Sequence, residues 1–62
     1  MNNVKERRSL ATTEEVADYL QVSVPSLLQM RHKGRAPKAS KVGRSLRWRW
    51  SDVDAWLEQR AS

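Results

Sequence analysis

The chain has no cysteine and only one histidine. Disulfides and thiolate metal sites are therefore excluded, and no spaced set of ligands remains for a metal site. No apolar run approaches the roughly 18 residues that a membrane span requires. The segment Met1–Arg8 carries no apolar stretch of the kind found in a secretion signal. A cytoplasmic protein without cofactor or membrane attachment is expected. Catalysis is not: Asp52 and Asp54 lie two apart on a predicted helix and point different ways. Nor is there length to spare. At 62 residues the chain makes one small domain, of which about 60% of the unfolded surface is buried on folding. Packing has to stabilise it, and Trp48, Trp50 and Trp56 are the main candidates.

Acidic residues are missing from one long stretch. Residues 21–50 carry Arg31, Lys33, Arg35, Lys38, Lys41, Arg44, Arg47 and Arg49 and no acid, a local charge of +8. Residues 1–20 sum to −1 and residues 51–62 to −2, which accounts for the net +5. Ordinary soluble surfaces intersperse both signs. A one-sign block of this size points to a polyanionic partner.

Local signals predict helix, helix, hairpin, helix, a mainly α fold with a small β-hairpin. Thr12 and Glu15 form a capping box that starts a helix at about 13–20. Ser23 caps a second helix, with Pro25 in its first turn and Gly34 as its stop. Ser51 is read as the cap of a third, with Asp52 and Asp54 in the first turn and Val53, Trp56 and Leu57 as its apolar face. Ala11 with Val16, Val22 with Leu27, and Trp50 with Ala55 have the spacing of hydrophobic staples. Between the second and third helices the period changes to two. Val42, Leu46, Trp48 and Trp50 are placed on one strand face, and Arg47 and Arg49 on the other. This predicts strands at about 40–42 and 46–50 around a three-residue turn, Gly43-Arg44-Ser45. Residues 1–9 are expected to be a flexible tail, and 10–60 the domain.

On the second helix Pro25, Gln29 and His32 face away from Leu27 and Met30, with Ser26, Leu28 and Lys33 on the flanks. Gln29 offers the amide pair that matches adenine in the major groove. Ser23 and Ser26, with the helix N-terminal amides, can hold a phosphate. The alternative is a solvated polar face. Arg44 at the hairpin tip, beside Ser45, suits an adjacent minor groove, and Arg47 and Arg49 would lie along the backbone. Here the alternative is an edge strand charged against aggregation. Thr13, Arg35 and Lys41 are further candidates for phosphate contact. Stacking of Trp48 and Trp50 on single-stranded bases is a rival reading, opposed by their alternation with Leu46.

The segments Thr12–Leu20, Val22-Ser23, Gly34…Pro37, Lys41–Arg44, Arg47–Arg49 and Ser51–Leu57 together resemble the excisionase family of winged helix-turn-helix proteins. Those proteins are related in fold to the DNA-binding domain of MerR-type regulators. The resemblance spans about residues 10–58. It implies a recombination directionality factor that binds repeated attachment-site DNA, bends it, contacts a site-specific integrase and favours excision. It also implies DNA contacts at Pro25, Gln29 and His32 and at Arg44. Gln21 stands where that family usually has glycine. Other readings of the same fold are a small transcriptional regulator, a general nucleic-acid or polyanion binder, and a protein-docking module that uses the acidic faces of the first and third helices. A dedicated regulator is expected to carry a dimerisation helix or effector domain as well, but repression and DNA bending use the same contacts and the sequence separates the two roles poorly.

Overall fold

The structure is a computed structural model and describes residues 9–61. All of the expected tail except Ser9 lies outside the described residues. The elements are α1 (Thr13–Leu20), α2 (Val24–His32), β1 (Ala39–Val42), β2 (Ser45–Trp48) and α3 (Trp50–Ala61). Three helices and a two-stranded antiparallel hairpin form the expected winged helix-turn-helix.

The helix ends follow local chemistry. Thr12 Oγ1 accepts from the Glu15 amide at 3.1 Å, and Glu15 Oε1 accepts from the Thr12 amide at 2.9 Å. Ser23 Oγ accepts from the Ser26 amide at 3.2 Å. Both α1 and α2 close with the same paired motif. After α2, Gly34 N–H donates to Arg31 C=O and Arg35 N–H to Met30 C=O, with Gly34 at φ +74°. After α1, Gln21 N–H donates to Asp18 C=O and Val22 N–H to Ala17 C=O, with Gln21 left-handed at φ 60°, ψ 43°. Only three residues, Gln21 to Ser23, join the two helices.

Ala11, Val16, Ala17, Leu27, Trp48 and Val53 form the buried core, with Leu20, Val22, Leu46 and Trp50 among the residues packed around it. Two predicted staples, Ala11 with Val16 and Val22 with Leu27, fall within this cluster. Trp48 is fully buried, and its indole Nε1 donates to Thr13 Oγ1 at 3.2 Å. Trp48 therefore belongs to the core and not to a base-stacking surface.

Long-range pairing alters the expected hairpin in three ways. Ala11 pairs with Trp48 on the free edge of β2, with bonds of 2.7 and 2.9 Å, so the segment before α1 adds a one-residue bridge to the two-stranded sheet. Val42 pairs with Ser45, which leaves a two-residue turn of Gly43 and Arg44 instead of three. Only Gly43 of the pair has positive φ, at +66°, as a turn with glycine in its first central position requires. In this register Lys41 shares a face with Leu46 and Trp48, while Val42 lies with Arg47 on the outer face and is 54% exposed. The expected placement of Val42 on the inner face is corrected accordingly.

The third helix also begins earlier than expected. Arg49 C=O accepts the first helical bond, from Val53 N–H at 3.0 Å, so Trp50 is helical and Ser51 lies inside the first turn. Ser51 is not the cap, and Trp50 is not a strand residue. The reason is tertiary: Trp50 turns to pack edge-on against Tyr19, with ring centroids 5.2 Å apart. With that turn the Trp50–Ala55 staple is lost, and Ala55 is exposed. Asp54 receives the Tyr19 hydroxyl at 2.8 Å, and only Asp52 remains in the first turn. Leu57, expected on the apolar face, is 37% exposed.

Candidate nucleic-acid interface

Most of the predicted contact residues fall on or beside α2 and on the hairpin; Thr13 lies on α1, Arg35 in the loop after α2 and Arg49 between β2 and α3. Within α2, Leu27 is fully buried and fixes the helix roll. Pro25, Ser26, Gln29, His32 and Lys33 are all exposed, as the helical period from Leu27 demands. Among the described residues, no hydrogen bond or ion pair engages the side chains of Gln29, His32 or Lys33. The amide pair of Gln29 is thus presented to solvent.

The N-terminus of α2 offers less than expected for an anion. Pro25 has no N–H, and the Ser26 amide is already bonded to Ser23 Oγ. Leu27 N–H donates to Ser23 C=O. Ser23 and Val24 keep the two amides left over at this helix start, so a phosphate here would rely on them and on the Ser23 and Ser26 hydroxyls.

The hairpin tip is fully solvated. Lys41, Gly43, Arg44 and Ser45 are exposed, and no described acid pairs with Lys41 or Arg44. The outer face is more complex. Arg47 is half-buried and donates from its guanidinium to Leu46 C=O at 2.9 Å, so the base of the strand holds part of its fork. Arg47, Arg49 and Lys38 line a groove together with Leu10, Val42 and Asp52. Lys38, one of the basic run for which the sequence suggests no role, lies on this face next to buried Pro37. Arg35 is exposed after α2, and its carbonyl accepts from Trp56 Nε1 at 3.2 Å, which ties this basic loop to α3. Thr13 differs from the other candidates, because its hydroxyl accepts from buried Trp48 and is turned inward.

The acid-free run therefore supplies an exposed helix face, an exposed turn and the strand face beside it, whereas among the described residues the acids lie on α1 and α3. A profile described as a helix-turn-helix domain matches residues 12–61. The chain belongs to the helix-turn-helix domain family. In a helix-turn-helix the second helix is the one presented to DNA, and here that helix is α2. Comparison with curated proteins gives no match. Among the described residues no helix of this helix-turn-helix domain is long and apolar enough to cross a membrane.

Proposed function

We propose that the domain places α2 in the major groove of duplex DNA and the Gly43–Arg44 tip in the adjacent minor groove. Gln29 reads a base edge there, and Pro25 and His32 flank it. Ser23, Ser26, Lys33, Arg35, Lys41, Arg47 and Arg49 hold the sugar–phosphate backbone. One observation carries this reading: every exposed charge on α2 and the hairpin is positive, and α2 is the second helix of the helix-turn-helix that the family match covers.

The proposed role is that of an excisionase. In this reading, copies of the domain occupy tandem sites in attachment-region DNA, bend it and direct a site-specific integrase toward excision, in the cytoplasm and by binding alone. Its support is the sequence pattern from Thr12 to Leu57 together with the small size of the domain, which limits how much DNA one copy can specify.

The test is duplex binding by wild type and two variants across a salt series. Arg44→Ala should weaken binding at AT-rich flanks and reduce the log–log salt slope by about one unit. Gln29→Ala should cost about 1–3 kcal/mol of discrimination at one base pair while leaving non-specific binding in place. Unchanged affinity for Arg44→Ala removes the wing from the mechanism. Heparin binding as tight as duplex binding reduces the domain to a polyanion binder. Footprinting an attachment region with and without its integrase then separates excisionase from transcriptional regulator.

A further inference from the structure

The exposed face of α2 is not wholly polar. Leu28 is 42% exposed and is not among the buried residues of the core. It lies about 100° around the helix from buried Leu27, on the side of Gln29. Pro25, also exposed, is three residues earlier and so lies next to Leu28 on the helix surface. The two side chains form an apolar strip that runs from the flank of the helix, at Leu28, into the face that carries Pro25, Gln29 and His32.

Helical period does not require leucine here. A long polar side chain would satisfy the same position, as Gln29 and Lys33 do at theirs. On the major-groove floor, the apolar group available to meet such a strip is the C5 methyl of thymine. Deepening the reading proposed above and resting on it, we infer that Leu28, with Pro25 beside it, reads thymine methyl groups next to the base pair approached by Gln29. Gln29 then supplies the hydrogen bonds of recognition and Leu28 the apolar contact. The preferred site carries a thymine within one or two base pairs of the adenine.

Preferred duplexes are first selected from a random pool with the wild-type domain. Each thymine of the selected site is then replaced in turn by deoxyuridine, which removes the methyl and leaves the pairing unchanged. Binding should weaken about fourfold at one or two positions, the effect of losing one buried methyl. Leu28→Ala should bind the thymine duplex about fourfold or more weakly and become indifferent to deoxyuridine at those positions. Wild-type binding that tolerates deoxyuridine at every position overturns the inference, and this arm needs no variant to fold. A Leu28→Ala protein that keeps the full deoxyuridine penalty also overturns it, because another residue then reads the methyl. A pool that yields no preferred duplex overturns the DNA-reading proposal itself, so the two failures are told apart.

Discussion

Gln21 occupies the left-handed region in a closing motif that α2 builds with Gly34. A side chain with a Cβ pays about 1 kcal/mol there, because the Cβ crowds the following carbonyl. Gln21 is exposed, and its backbone bonds are made by atoms that glycine also has. Gln21→Gly should therefore raise stability by about 0.5–1 kcal/mol, the relieved crowding being partly offset by the greater freedom of glycine in the unfolded chain. Urea unfolding of the two proteins measures it, and a less stable glycine variant would show that Gln21 carries no net strain. The same scale separates Thr13 from the other polar candidates. Its hydroxyl serves Trp48, so Thr13→Val should destabilise the fold by about 1 kcal/mol with no change in salt slope.

At the scale of elements, the helix starts and stops are local and the strand boundaries are not. Thr12, Glu15, Ser23 and Gly34 act through bonds to residues within four positions, and each is found where sequence spacing puts it. Strand β2 instead depends on partners on both edges, β1 and Ala11. Trp48 is the residue common to both pairings and to the core. Burial of a side chain that large contributes roughly 4–6 kcal/mol, comparable with the whole margin of a domain this size, about 3–5 kcal/mol. Trp48→Ala should consequently abolish cooperative unfolding and the near-ultraviolet circular dichroism. An equivalent change at exposed Leu57 should cost under about 1 kcal/mol. If Trp48→Ala melts cooperatively near the wild-type temperature, the wing does not depend on the tryptophan for its anchoring.

Over the whole molecule, charge is sorted by element. Residues 21–50 hold eight cations and no acid, and among the described residues the acids flank them on α1 and α3. The domain measures 34 × 33 × 17 Å, so it is thin and offers a limited DNA-facing surface, on the order of 600–1,000 Å² for a single module. If somewhat over half of the eight cations meet phosphates, duplex affinity falls with salt at a log–log slope of about −4 to −5. Fluorescence anisotropy at several potassium concentrations reads this slope. A value near −1 would mean that most of the basic run does not touch the backbone.

The sequence alone determined the order of elements, two helix caps, the polar face of α2 and the basic run, because capping, helical period and charge are properties of neighbouring residues. Tertiary structure decided what depends on contacts distant in the chain. Pairing of Ala11 with Trp48 completed the sheet edge, and the Val42–Ser45 register shortened the turn and put Val42 outside. Packing of Trp50 on Tyr19 drew the start of α3 back past Ser51. A one-residue change of register exchanges the two faces of a strand, and only the assembled core fixes which face is buried.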